Sequence, residues 1–523
     1  MISKKTGAIV FFGAVFVLLS VFGVSFFEAI WSFPRFSLVP LMVVALLGTG
    51  IFTTINLGFP QIKYLKHGIK VTRGDYDDPN EAGDLNHFQA LTTALSATVG
   101  IGNIAGVATA IYYGGPGALF WMWVTAFFGS ALKFAECTLA VEYRDFDKSG
   151  MTAGGPMYTI EKGLGKQWRW LAIIFAGFAV ICSFATGNAI QSFTLSDQLY
   201  SEVSQVVGTD HFLTIKHQLT DWYSVSVQQV INGLFITVIA ALVILGGIKR
   251  IGSVTSYLAP FMAAIYVISA VLILLANITK VPTSFGMILS MAFNPPAAIG
   301  GVAGGTLIVF MNTLLWGVKR GLYSNEAGSG SVPHAAASAV PNPNHPVSQG
   351  YIQMLGVFLD TLILCTSTAF IILLAGGSSS EQMEGIRLTQ DAMSSHLGEG
   401  GTDFVAAAIS LFAFTSVVAN YAYGESNLHM FKLDNKIGRA VYTIGYLGMI
   451  YWGAQAALPQ VWAMADMALG LMTVINIIAI VWMTPTIVSI SKDYFKKKDS
   501  GANMEYKAGD CEIQGKSEDG IWD

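Results

Sequence analysis

Apolar residues in this chain come in long, nearly unbroken runs. They do not follow the alternation of half-buried strands or the narrow stripe of soluble amphipathic helices. Runs of membrane-spanning length fall at 7–27, 38–58, 88–113, 118–140, 169–199, 226–247, 251–277, 302–322, 347–375, 402–424, 438–455 and 460–490, twelve in all. The pattern predicts an all-α polytopic membrane protein. It divides the chain into an extra N-terminal hydrophobic segment (1–37), a first helix with a cytoplasmic loop (38–87), five helices (88–277), an external linker with a short amphipathic piece (278–301), five more helices (302–490) and a polar cytoplasmic tail (491–523). The run at 7–27 follows MISKK and reads as a retained helix or a signal peptide. Residues 495–523, rich in lysine and acids, read as a disordered segment.

Composition agrees. Of 523 residues, 53% are hydrophobic and 12% charged, against about 25% charged in soluble domains. The few positive charges are sorted by side. With a cytoplasmic amino terminus and alternating spans, 22 Lys and Arg fall inside and 4 outside, as the positive-inside rule requires. Lys133, Lys319 and Arg320 lie within or beside apolar runs. Ten spans remain from residue 88 onward, and the first five start from the cytoplasm. Five is odd, so the second five run the opposite way, which is the arithmetic of an inverted repeat. The four cysteines and eight histidines show no disulfide or metal spacing, no enzymatic motif stands out, and no basic face is available for nucleic acid.

One run is unlike a simple anchor. Gln89 to Gly117 carries glycines at 100, 102 and 106 with Asn103 among them. Glycine weakens a helix by roughly 1 kcal/mol relative to alanine, so this helix is expected to open at bilayer depth. Freed backbone groups are tolerated there only when they face protein, water or a ligand. The same glycines fit close helix packing through Gly102-x-x-x-Gly106. GIGNIA also fits a dinucleotide fingerprint, but no strand precedes it. An echo occurs in the second half: Asn103-Ile-Ala-Gly106 against Asn325-Glu-Ala-Gly328.

A broken helix offers N–H groups to an anion and carbonyls to a cation. Candidate sodium ligands on the first break are Thr92, Thr93, Ser96 and Thr98, with carbonyls near Gly100. Thr415 and Ser416 on the eighth core helix are expected to complete that shell, and Ser416 shares a face with Asn420. Asn188 and Gln191 on the third core helix, three apart, are expected on one face, where they either fasten helices or line the site. Lys133 and Glu136 are spaced to neutralise each other; Asp360 and Glu326 are acids at bilayer depth and so functional suspects.

The stretches GTGIFTTINLGFPQI (48–62), HFQALTTALSATVGIGNIAGVATA (87–110), GGPGALFWMWVTAFFG (114–129), AGGPMYTIEKGLG (153–165), GVKRGLYSNEAGSGS (317–331) and FLDT (358–361) closely resemble the alanine/glycine:cation symporters. The resemblance implies a leucine-transporter-like bundle of five plus five inverted helices preceded by one or two more. It implies sodium-coupled uptake of a small neutral amino acid (alanine, glycine, serine or glutamine) across the plasma, or inner, membrane, with both termini cytoplasmic if 7–27 is retained. By matching motifs it assigns substrate contacts to Thr98, Gly102, Asn188, Gln191, Tyr323, Ser324, Glu326 and Ser416; Asn420 stands where the family's substrate-capping side chain is expected, and the sodium candidates read from the residues themselves are Thr98, Gly100, Thr415 and Ser416. Ile101, Thr186 and Asn420 depart from the family pattern. At Asn420 a tryptophan is expected, and an amide there opens room for a larger or more polar substrate. Two other readings keep the same chain: proton coupling through Glu326 or Asp360, and a non-transporting membrane sensor.

Overall fold

The computed structural model describes residues 41–63, 65–76, 85–146, 152–220, 223–294, 306–376, 385–456, 458–517 and 521–522. The expected first run, at 7–27, lies outside them. The main helices are α1 (Leu41–Asn56), α2 (Leu65–Thr72), α3 (His87–Thr98), α4 (Val107–Gly114), α5 (Ala118–Glu142), α6 (Arg169–Phe184), α7 (Ile190–Val207), α8 (Val227–Ile244), α9 (Gly247–Ala276) and α10 (Val281–Phe293). They continue with α11 (Thr306–Asn325), α12 (Pro333–Ala337), α13 (Pro346–Val357), α14 (Thr366–Leu374), α15 (Ile386–Leu397), α16 (Gly400–Asn427), α17 (Lys436–Gly453) and α18 (Leu458–Ser500).

Among the described residues, seven helices are long and apolar enough to cross a bilayer, or eight when the bent α3–α4 pair counts as one. The shorter or more polar α1, α11 and α17 occupy the expected runs at 38–58, 302–322 and 438–455. Two spans are interrupted by π turns rather than ended: Ala185–Ala189 joins α6 to α7, and Phe358–Cys365 joins α13 to α14. Each π turn inserts a residue into the helical ladder.

The helices pair as an inverted repeat should pair them. Taking α3–α4, α5, α6–α7, α8 and α9 as one half, the other half is α11–α12, α13–α14, α16, α17 and α18. Second members pack on each other (α5 on α13), as do third members (α6 and α7 on α16) and fourth members (α8 on α17). The outer helices α8 and α9 are only 33% and 28% buried, while α5 is 67% and the α13–α14 span 72% buried. Leu234, Phe235 and Val238 on α8 and Phe261, Ile268 and Leu272 on α9 are exposed, a surface suited to lipid. Outside the bundle lies a β-hairpin of Lys216–Thr220 and Tyr223–Ser226.

The C-terminal segment departs from the expected disorder. Helix α18 runs on to Ser500, and the chain then folds back across the end of α5. Trp522, 3% exposed, donates its indole N–H to the Glu142 carbonyl at 3.1 Å and lies under the Arg144 guanidinium at 5.0 Å. Tyr506 donates its backbone N–H to Asn344 O at 2.9 Å, and Tyr143 Oη donates to Gln514 O at 2.5 Å. A tail polar by composition is thus pinned by a few aromatic anchors.

Candidate functional site

The first interruption begins where α3 ends. Asn86 and Gln89 form a reciprocal capping box that fixes its entry. After Thr98 the backbone at Val99 is extended, Gly100 follows, and the chain resumes through a π turn at Gly102–Gly106. The two half-helices are bent by 53°. Glycine is required here by space: a Cβ at Gly100 would lie 2.7 Å from Ser416 Oγ, and one at Gly102 would lie 2.9 Å from Tyr323 Cδ1. The freed carbonyls of Ser96 and Val99 accept from Ser416 Oγ at 3.0 and 3.4 Å. Asn420 Nδ2 donates to Ala97 O at 3.4 Å, Gly100 N–H to Asn103 Oδ1 at 3.0 Å, and Ile101 N–H to Gln191 Oε1 at 3.4 Å. Every cap at this break is a neutral hydroxyl or amide.

The second interruption follows α11. Glu326, Gly328 and Gly330 all have positive φ, at 52°, 82° and 85°. That region is costly for glutamate, and a ring of bonds holds it there. Lys133 Nζ donates to Glu326 O at 2.9 Å, Ser329 Oγ donates to the same carbonyl at 2.7 Å, and Ser331 Oγ donates to the carboxylate. Glu136 accepts the N–H groups of Gly328 at 3.3 Å and Gly330 at 3.1 Å, while its Oε1 is 3.1 Å from Lys133 Nζ. Asn476 of α18 donates to both Glu136 Oε2, at 2.7 Å, and Gly328 O, at 3.0 Å. The Lys133–Glu136 pair therefore shapes the second break, the carboxylate taking its N–H groups and the ammonium a carbonyl.

The two interruptions meet. Asn103 Nδ2 lies 3.3 Å from Ser324 Oγ and donates to Asp360 Oδ1 at 2.8 Å. Ser324 Oγ donates to the other Asp360 oxygen, which also accepts from Thr361 Oγ1 at 3.0 Å. Asn325 Nδ2 donates to Thr361 Oγ1 at 3.0 Å. The two asparagines of the sequence echo thus reach adjacent residues of one π turn, Phe358–Cys365.

Comparison with known proteins places this architecture. The sodium:alanine symporter family profile matches residues 25–508. The chain belongs to the sodium:alanine symporter family. A sodium/alanine symporter of Methanococcus maripaludis, AgcS, is 40% identical over 87% of this chain and 94% of its own. The amino-acid carrier protein AlsT of Bacillus subtilis is 37% identical over 92% of this chain and 96% of its own. The probable sodium/glutamine symporter GlnT of Bacillus subtilis is 38% identical over 88% and 89% respectively. Among solved structures, that of Mhp1, a nucleobase-cation-symport-1 family transporter in a closed conformation with bromovinylhydantoin bound, aligns over 83% of this chain and 84% of its own, with a TM-score of 0.47 and 13% identity.

In this symporter-family chain the expected site residues are distributed unevenly. Gly100, Gly102, Gln191, Ser416 and Asn420 gather at the first break, while Tyr323 and Ser324 approach it from the second. Glu326 belongs to the second break. Thr98 Oγ1 turns back to Ala94 O at 3.2 Å, as hydroxyls in membrane helices often do. Thr415 Oγ1 bonds Phe412 O at 3.0 Å and faces Met262 Sδ at 3.6 Å on α9, away from Ser416's partners. Asn188 reaches Tyr446 O on α17 at 2.8 Å, whereas Gln191 faces Ile101. Asn188 sits inside the π turn at Ala185–Ala189, and Gln191 lies in α7 just after it. Asn420 lies against Gly187, where an added Cβ would fall 2.2 Å from it.

Three features were not anticipated. Asn103 is a bridge between the breaks as well as an interruption. Asn476 and Asp466 had no motif to mark them beyond being polar residues in an apolar run. Asp466 receives Lys319 at 2.5 Å and Arg320 at 3.7 Å, and the Arg320 guanidinium stacks on Trp462 at 4.1 Å. Lys319 and Arg320, which sequence left beside the membrane, are thus paired nearly two turns before the second break.

Proposed function

We propose that this protein is a sodium-driven symporter that takes up a small neutral amino acid across the plasma membrane by alternating access. The observation that carries the reading is the meeting of the two broken helices at Asn103, Ser324 and Asp360. The amino acid is placed between the first break and Tyr323–Ser324, with its carboxylate towards the N–H groups at Gly100 and Ile101 and its side chain towards Gln191 and Asn420. Sodium is placed where Ser416 Oγ faces the Ser96 and Val99 carbonyls; hard cations favour such oxygens. Thr98 and Thr415 would join that shell only after rotating from their present partners. Relatives named for alanine and for glutamine bracket the substrate, and the amide of Asn420 favours the more polar end, serine or glutamine. Both termini are assigned to the cytoplasm from the charge asymmetry if residues 7–27 are retained. One charge moving through 100 mV releases about 2.3 kcal/mol, enough with a sodium gradient to concentrate a neutral solute.

Proton coupling stands as a second reading because Glu326 and Asp360 are buried carboxylates in spans of a membrane protein. Uptake of labelled amino acid into proteoliposomes, with sodium and pH gradients imposed separately, decides between them. Uptake that follows sodium supports the proposal; sodium-independent uptake that follows pH overturns it.

A further inference from the structure

We propose a binding site for one anionic phospholipid on the side assigned to the cytoplasm, its phosphate in a basic crevice and an acyl chain in an apolar groove, with the turn between α16 and α17 as their shared wall. The site is separate from the helix breaks and does not depend on which ion drives transport. The crevice, about 730 Å³, lies between the turn Lys166–Trp168 that leads into α6, the α16–α17 turn and the C-terminal segment. Lys162, Lys166, Arg169, Lys432 and Lys516 line it, against three acids. Two of those acids are taken: Asp145 by Lys162 at 3.1 Å and Glu161 by Arg169 at 2.5 Å. The third, Asp434, faces His429 at 3.9 Å. Among the described residues no carboxylate pairs with Lys166 or Lys432, and both side chains are exposed. The C-terminal segment completes the rim, with Lys516 N–H donating to Lys162 O at 3.4 Å.

The other side of the shared wall is apolar. His429, Met430, Lys432 and Asp434 of the turn line the crevice. Leu428 and Leu433 of the same turn, with Ile437 and Val441 of α17 and Val180 and Phe184 of α6, line a groove of about 170 Å³. Ile437 and Val441 are exposed, on a side suited to lipid. Gly445 leaves the groove open: a Cβ there would meet only Phe184 Cζ, at 3.8 Å. Trp170 is exposed, and Trp168 packs edge-on against Trp482 of α18 with ring centroids 4.8 Å apart. Tryptophans gather at the headgroup level of a bilayer, which puts the crevice at that depth. Surplus lysines there favour a headgroup with net negative charge, since a zwitterionic one brings its own cation. A soluble phosphate would fill the crevice and leave the groove without a role, whereas a lipid accounts for both. Helix α16 carries Ser416 and Asn420, so a lipid held between α6 and the end of α16 bears on the helix that caps the first break.

Native mass spectrometry of the purified full chain, stripped of lipid and titrated with phosphatidylglycerol, phosphatidylcholine or inorganic phosphate, tests the site. The expected result is one phosphatidylglycerol retained per chain at a concentration about 25-fold below that needed for phosphatidylcholine, Lys166 and Lys432 each contributing about fivefold. Lys166→Gln combined with Lys432→Gln should erase that preference and leave phosphatidylcholine retention unchanged. Gly445→Leu, which fills the groove, should weaken phosphatidylglycerol about tenfold, the loss of roughly two buried methylenes. If Gly445→Leu fails to fold, a phosphatidylglycerol with short acyl chains takes its place, with the same loss expected on the native chain. Equal retention of the two lipids, or a native preference in the double lysine variant, overturns the site. Phosphatidylglycerol that inorganic phosphate displaces, and that neither filling the groove nor shortening the chains weakens, overturns the lipid in favour of a soluble phosphate. None of these readings involves uptake, so failure of the transport proposal would leave the site standing.

Discussion

The two interruptions are held open by different chemistry. At the first, the freed backbone groups meet only neutral caps: Ser416, Asn420, Gln191 and Asn103. At the second, a buried lysine–glutamate pair grips the backbone, with Asn476 bonding the glutamate and the glycine carbonyl behind it. Neutral hydroxyls and amides cost little to exchange for a ligand. A buried charge pair does not let go cheaply, because releasing either partner leaves a bare charge in the membrane. The first break is therefore suited to bind and release, and the second to stay shaped while it does so. The same division explains why Glu326 tolerates a left-handed backbone: the lysine, Ser329 and Ser331 over-determine it.

Substitutions can break or sharpen that contrast. The largest effect is expected from Glu136→Ala, which strands Lys133 and the Gly328 and Gly330 N–H groups. It should destabilise the protein by about 3–5 kcal/mol, seen as a large drop in the thermal midpoint in detergent. A midpoint close to native would mean the second break does not depend on the pair. Next, Gly102→Leu should lower uptake about 100-fold while leaving membrane insertion intact and costing about 1–3 kcal/mol of stability, since its bulk falls on Tyr323 at the site. Normal uptake by this variant would place the first break outside the transport path. Ser416→Ala should raise the sodium concentration for half-maximal uptake about tenfold, with little change in thermal midpoint without sodium. A loss of stability larger than the loss of sodium affinity would erase the distinction between the two breaks. The smallest effect is expected from Asn420→Leu, which keeps the branched shape and removes the amide: uptake of glutamine or serine should fall about tenfold relative to alanine. An unchanged ranking in a competition panel would put Asn420 out of reach of the substrate.

What was legible in the sequence was where the backbone gives way. Gly100, Gly102 and Gly106 announce an opening because glycine is a poor helix former, and the asparagine echo announces its counterpart. The inverted order followed from charge sorting; corresponding members of the two halves, α5 with α13 and α8 with α17, pack on each other. The partners of the freed groups were not legible. Asn476 lies 340 residues from the Glu136 it caps, and nothing local marks that distance as a contact. Asn188 fastens its span to Tyr446 of α17, one of the two roles the spacing left open, and the π turn that carries it had no marker in the sequence. The tail was read as unstructured from composition, an average that hides the few aromatic residues, Tyr506 and Trp522, that dock it.

Equilibrium binding of a labelled amino acid to the purified protein, with sodium exchanged for potassium at constant ionic strength, tests the joint site most directly. The account predicts one amino acid per chain in sodium, loss of that binding in potassium, and loss in Gly102→Leu under either salt. Equal binding in both salts, or native binding by Gly102→Leu, would contradict it.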